Sequence, residues 1–188
     1  MLKALKRLFY FFLFLLFLYI LLSQQNNIAR FVYPFPYREI IVSEAAKYGI
    51  DPLLIVSIIR VESSFKHTAR SEKGAEGLMQ IMPETGFWIA EQLGLESFSE
   101  EKLLDPSVNI LLGTWYINNL LQQFDAELYP ALAAYNGGRG HVKRWLDDGI
   151  WDGKRENLED IPFAETRSFI KKVEKTYMRY QQIYSGEY

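Results

Sequence analysis

The stretch DPLLIVSIIRVESSF, residues 51–65, decides the fold class. Asp51 followed by Pro52 reads as the N-cap and first position of a helix. Aspartate offers a side-chain acceptor to unpaired N–H groups, and proline's fixed φ suits the first turn. From Leu53 to Ser63 the chain is apolar almost all round, as expected of a central, buried helix. Glu62 interrupts this run in its last turn. Partial burial and the negative end of the helix dipole both disfavour its anion there. The expected consequence is a carboxyl of raised pKa, able to donate a proton near pH 7. Turned to solvent at a fraying helix end, the same residue would be an ordinary surface glutamate.

Outward from this helix the pattern stays helical. Arg38 to Tyr48 has apolar residues near helical spacing and ends at Gly49, a C′ glycine. Pro83 opens another helix, ending near Gly94. Asp105-Pro106 opens a long one to about Phe124, with Ile110, Leu111, Trp115, Leu120 and Leu121 as candidate core residues. Pro130 to Tyr135 reads as a short apolar helix stopped by Asn136-Gly137-Gly138, and Ala164 to Tyr184 as a final helix. No strand-length alternation with hairpin turns is present, and there is no repeat or low-complexity segment. The expected fold is mainly α, with one domain over residues 37–188.

The N-terminus is of another kind. Lys3, Lys6 and Arg7 precede an unbroken apolar run, Leu8 to Leu22. Its 15 residues make about 22 Å of helix at roughly 1.5 Å per residue, short of a hydrocarbon core of about 30 Å. Ala4 and Leu5 extend it, and the basic side chains can snorkel. The same layout serves a secretory signal peptide. After Leu22, however, SQQNNIAR offers only Ser23 and Ala29 as small residues and no small-x-small cleavage site. Residues 1–23 are therefore expected to be an uncleaved signal anchor, a single transmembrane helix. Residues 24–36 would be a tether ending in an aromatic-proline stretch. Basic residues stay cytoplasmic, which places the remainder in the periplasm or cell wall.

Composition narrows the chemistry. The 188 residues contain no cysteine and two histidines, His67 and His141. That excludes a disulfide framework, Cys-ligated zinc and a thiol nucleophile, and leaves too few His for a His-rich metal cage. No metal and no cofactor is expected. Basic and acidic residues number 21 and 23. This near balance argues against nucleic acid as a partner. From Ser23 onward 18 basic residues face 23 acidic ones, a charge of −5. His67 and His141 read as surface residues. Trp88, Trp115, Trp145 and Trp151 read equally as core or as sugar-stacking platforms.

Four blocks of sequence belong together. Glu62-Ser63-Ser64-Phe65 comes first. Ser71 then begins SEKGAEGLMQIMPETG, residues 71–86. Ala133-Ala134-Tyr135-Asn136-Gly137-Gly138 follows, and then Ile161-Pro162-Phe163-Ala164-Glu165-Thr166-Arg167. In this order they resemble the catalytic domain of the soluble lytic murein transglycosylases, a lysozyme-like family. The resemblance covers about 125 of the 188 residues. It implies a lysozyme-like helical domain, and an enzyme that cleaves the β-1,4 bond between N-acetylmuramic acid and N-acetylglucosamine of peptidoglycan strands.

The resemblance also implies roles. Glu62 matches the family's single catalytic acid and base. Ser71 matches a serine that hydrogen-bonds near the N-acetyl group of the muramic acid. Gly77, Leu78, Met79 and Gln80 match the loop lining the cleft floor. Tyr135 and Asn136 match residues beside the catalytic acid, and Glu165 and Arg167 match polar residues at the far side of the cleft. The residues themselves leave other readings open. Met79 and Met82 suit plain packing, Asn136-Gly137-Gly138 a helix stop, and Glu165 with Arg167 a surface ion pair. Two positions depart from the family pattern. Glu76 stands where a small or neutral residue is usual, so a second carboxylate is expected near the cleft. Arg139 stands where proline is frequent.

Glycosidases usually pair two carboxylates. One suffices if the substrate supplies the nucleophile, and the family reaction works this way, leaving a 1,6-anhydro ring. The alternatives are a hydrolytic muramidase of the same fold, with Glu76 or Glu165 holding water, and a membrane-anchored glycan-binding or scaffold module.

Overall fold

The computed structural model describes residues 2–23 and 25–187. Met1, Gln24 and Tyr188, the outer ends of the expected anchor, tether and main domain, lie outside the described residues, as do the side chains of Ile20, Leu21 and Leu22 from the apolar run. The chain divides into two compact units, Met1–Phe35 and Pro36–Tyr188.

The first unit holds α1 (Leu2–Ser23) and α2 (Gln25–Val32). The described apolar side chains of α1 from Leu5 to Tyr19 are all exposed. Among the described residues no helix is long and apolar enough to cross a membrane. The expected anchor is an exposed apolar helix. The expected tether is itself helical over Gln25–Val32. Ile28, Phe31 and Val32 recur on one face at helical spacing and outweigh the polar QNN start.

The second unit is mainly α. It contains α3 (Arg38–Tyr48), α4 (Pro52–Ser63), α5 (Pro83–Gln92), α6 (Pro106–Gln123), α7 (Leu128–Gly137), α8 (Arg139–Asp147) and α9 (Ala164–Tyr184). Its β structure, among the described residues, is limited to isolated bridges joining Glu76 to Arg70 and to Ile81. The caps are those the sequence called for. Asp51 Oδ1 accepts the Leu53 N–H at 2.8 Å, and Asp105 Oδ1 accepts those of Ser107 and Val108 at 2.8 and 3.1 Å. Gly49 closes α3 at φ 65°.

Helix α4 is the centre of the domain. Pro52 to Ile59 are all buried, and Ser57 satisfies its hydroxyl by donating to the Leu53 carbonyl at 2.6 Å. Fully burying each large aliphatic side chain contributes about 1.5–3 kcal/mol, so this helix anchors the core. Helix α9 lies against it. Tyr177 O–H donates to Asp51 Oδ2 at 2.6 Å, tying the C-terminal half of α9 to the start of α4.

Two helical boundaries differ from the sequence reading. Helix α7 begins at Leu128 and continues through Asn136 and Gly137, and the stop falls on Gly138 at φ 88°. Helix α8 follows at once. Its Gly140, His141 and charged residues hide the short apolar stripe of Val142 and Trp145 that seats it.

Candidate active site

Glu62 sits in the last turn of α4, half-buried, and α4 ends on two successive residues with left-handed backbone, Ser64 (φ 50°) and Phe65 (φ 68°). No hydrogen bond or ion pair reaches its carboxyl among the described residues. Burial, and secondarily the negative charge of Glu165, push its pKa from 4.5 up to about 7. Desolvation is the larger cause because the anion has lost water and gained no donor.

Residues 69–81 form a tight double turn with backbone hydrogen bonds of its own. Glu76 and Ile81 exchange two N–H···O bonds at 3.0 Å, and the Gly77 N–H donates to the Ala69 carbonyl at 2.9 Å. Asn109 of α6 pins the turn from behind. Its Oδ1 accepts the Met79 N–H at 2.7 Å, and its Nδ2 donates to the carbonyls of Glu76 at 3.0 Å and Leu103 at 2.8 Å. Gly77 is required here. Its φ is +79°, and a Cβ would come within 2.2 Å of both Asn109 Nδ2 and the Leu103 carbonyl oxygen.

The sequence-derived site residues are not equivalent. Tyr135 stacks on Phe169 and donates its phenol hydrogen to the Met79 carbonyl at 2.7 Å. Burial first, then the charge of Glu62, hold that phenol well above its ordinary pKa, so Tyr135 stays protonated beside Glu62. Asn136 accepts a hydrogen bond from Thr166 Oγ1 at 2.8 Å. Gly137 makes that approach possible, since a Cβ there would lie 2.9 Å from Thr166 Oγ1. Ser71 is exposed and its Oγ accepts the Ala75 N–H at 2.9 Å. Gln80, at φ 48°, donates Nε2 to the Ala69 and Gly77 carbonyls at 3.2 and 2.9 Å. Glu165, at the start of α9, pairs with Lys73 at 2.8 Å.

Three expectations change. Leu78 and Met79 are fully buried, at 0% exposure. They are core residues, Met79 lying against Gly113 of α6, and Gly77 beside them is buried too, so none of the three presents a surface to solvent. Arg167 donates to the Ile161 carbonyl and lies 3.6 Å from Glu159 Oε2, which fastens the 155–162 segment to α9. Glu76 is 3% exposed and its Oε1 pairs with Arg70 Nε at 3.2 Å. Its charge has no part in the shift of Glu62, so the carboxylate facing Glu62 is Glu165, not Glu76.

Of the tryptophans, Trp145 and Trp151 are core residues, at 5% and 1% exposure, while Trp88 and Trp115 are half-buried and meet edge to face at 5.3 Å. The two histidines are exposed but engaged, His67 with the Leu104 carbonyl and His141 with Arg144. The sequence reading passed over Asn109, Thr166 and Tyr116. Asn109 had a signal, an amide inside an apolar helix, which demands partners when buried. Among the described residues no group of three or more His, Asp or Glu is placed to hold a metal ion.

A helical domain with one half-buried, proton-retaining glutamate over a pinned loop has known counterparts. The Transglycosylase SLT domain family matches residues 39–157, and the chain belongs to that family. It is 33% identical over 159 residues to the soluble lytic murein transglycosylase of Escherichia coli K12, covering 82% of this chain and 24% of that protein. The solved structure of the 70 kDa soluble lytic transglycosylase of E. coli superposes with a TM-score of 0.76 at 31% identity, over 84% of this chain and 26% of that one, and so does that of a 70 kDa soluble lytic transglycosylase in complex with bulgecin A. An inactive Glu-to-Gln mutant of lytic transglycosylase Slt from Pseudomonas aeruginosa superposes with a TM-score of 0.72 at 37% identity, over 80% and 24%. The membrane-bound lytic murein transglycosylase C of Actinobacillus pleuropneumoniae serotype 5b is 31% identical over 169 residues, 78% of this chain and 46% of that protein. The chain thus spans about a quarter to a half of the length of these relatives.

Proposed function

We propose that this protein is a peptidoglycan lytic transglycosylase that cleaves the N-acetylmuramic acid–N-acetylglucosamine β-1,4 bond and leaves 1,6-anhydromuramic acid ends. The observation that carries it is the state of Glu62, a half-buried carboxyl with its pKa pushed up to about 7 and no donor to fix its anion. Such a group serves as acid and then as base near neutral pH. Glu62 protonates the bridging oxygen as the C1–O bond breaks, and the muramyl N-acetyl group supports the cation. The sugar's 6-hydroxyl then closes on C1, and its proton passes to the Glu62 carboxylate. Water is not consumed.

Around it, Ser71, Gln80 and Asn136 supply polar contacts, and the buried segment Gly77 to Met79, held by Tyr135 through the Met79 carbonyl, supports them from beneath. The inactive Glu-to-Gln mutant of the Pseudomonas relative supports a glutamate-dependent reaction. A hydrolytic muramidase would need a second carboxylate holding water. Glu165 is the candidate near Glu62, but its pairing with Lys73 leaves it poorly placed for that task.

For organisation we propose residues 1–23 as a single-pass anchor, 24–36 as a connecting segment and 37–188 as the catalytic domain outside the cytoplasmic membrane. The exposed apolar side chains of α1 and the membrane-bound relative support this. The test of the reaction is mass spectrometry of products from purified peptidoglycan. Anhydro ends, lighter by one water than hydrolytic ends and resistant to borohydride, are expected. Mostly reducible ends would establish the muramidase instead. Glu62→Gln is expected to abolish cleavage, and substantial residual turnover would assign the chemistry to another group.

A further inference from the structure

Arg139 breaks a local rule. It is the first residue of α8, where the positive helix end disfavours a cation. No hydrogen bond or ion pair reaches its guanidinium among the described residues. Instead the guanidinium lies over the indole of Trp88, 4.8 Å from the ring centroid. Trp88 meets Tyr116 edge to face at 6.3 Å, and Tyr116 lies 5.5 Å from Tyr135, the neighbour of Glu62. Burial raises the Tyr116 pKa and Arg139 lowers it, so the guanidinium also faces that phenol. With Glu84 and Thr85 these three residues line a cavity of about 180 Å³. The Tyr116 hydroxyl has no hydrogen-bond partner among the described residues.

An aromatic wall, a free phenol hydroxyl and a guanidinium without a counter-ion at a helix N-terminus form a specific combination. Aromatic faces take the C–H face of a sugar ring. The planar fork of arginine takes a carboxylate bidentately, and the first N–H groups of α8 add to the attraction. Glu84, which also lines the cavity, accepts hydroxyl hydrogens and repels a carboxylate, so the acid group is steered to Arg139. Resting on the peptidoglycan reading above, we propose that the Trp88–Tyr116–Arg139 cavity is a binding subsite for a carboxylate-bearing sugar unit of the strand, along the glycan from the bond held at Glu62. In peptidoglycan that carboxylate has two sources: the lactyl group of a muramic acid stripped of its peptide, and the stem peptide itself.

The test uses the full chain in detergent and three preparations of soluble glycan strands: peptide-bearing, peptide-stripped, and peptide-stripped with the lactyl carboxylates converted to methylamides. Arg139→Gln is expected to raise KM about tenfold on the carboxylate-bearing strands it reads, with kcat little changed, and to leave KM on the amidated strands as in wild type. A penalty on stripped strands assigns the lactyl carboxylate, and one confined to peptide-bearing strands assigns the stem peptide. Equal KM for variant and wild type on all three, or an equal penalty on amidated strands, overturns the subsite while leaving the reaction intact. Absence of wild-type cleavage on every preparation would overturn the reaction instead. Calorimetric binding of the same strands, compared between wild type and Arg139→Gln, then decides the subsite by itself.

Discussion

Lys73 Nζ lies 2.8 Å from Glu165 Oε2, joining the turn that carries Ser71 to the first turn of α9 across 92 residues of sequence. Glu165 is also the charged group that adds to burial in raising the Glu62 pKa. The pair therefore has an electrostatic consequence at the Glu62 carboxyl, even though both partners are exposed and the ion pair itself contributes little stability.

Removing Lys73 should leave the Glu165 charge uncompensated. Lys73→Met is expected to move the basic limb of the kcat/KM–pH profile upward by a few tenths of a unit, and Glu165→Gln to move it downward. The double variant should match Glu165→Gln alone. Parallel shifts from Lys73→Met in both backgrounds would show that Lys73 does not act through Glu165.

Glu62 should make the folded protein less stable at neutral pH. Its pKa is about 7 folded against 4.5 ordinarily, so between those values the folded state binds more protons than the unfolded one. Stability is then lost as pH rises through that window, and the loss is complete above about 7. Glu62→Gln should be more stable than wild type by about 1–3 kcal/mol at pH 8 and indistinguishable at pH 4. Urea unfolding at the two pH values measures this. Equal differences at both would place the carboxyl in solvent.

Asn109→Leu removes the amide that pins the turn of residues 69–81. The Met79 N–H and the Leu103 carbonyl lose a buried partner, at about 1–3 kcal/mol each. A destabilisation of about 2–5 kcal/mol is expected in denaturant unfolding, with loss of wall cleavage. A cost below about 1 kcal/mol would mean that the turn is held by its own backbone bonds.

The full chain should remain in the membrane fraction after an alkaline carbonate wash, and a chain lacking residues 1–23 should be released. Mature protein whose N-terminal sequence began between Ser23 and Arg30 would replace the anchor with a cleaved signal.

The sequence alone determined the helical class, the caps at Asp51 and Asp105, the C′ glycine at Gly49 and the full span of the last helix, because these follow from local propensity and capping chemistry. It also isolated Glu62, since a carboxyl at the end of an otherwise apolar helix violates the local pattern. Only the tertiary structure decided which charges meet. Tyr177 against Asp51 sets α9 along α4, and that alignment brings Glu165 rather than the nearer-in-sequence Glu76 to Glu62. Glu76 reads from sequence as a cleft residue. Its placement follows from a turn whose two bridges direct the side chain inward onto Arg70. Leu78 and Met79 match a substrate loop, yet their apolar side chains are drawn into the core and the whole of both residues is buried. Burial and charge proximity are sums over segments far apart in the chain, and no local pattern of residues encodes them.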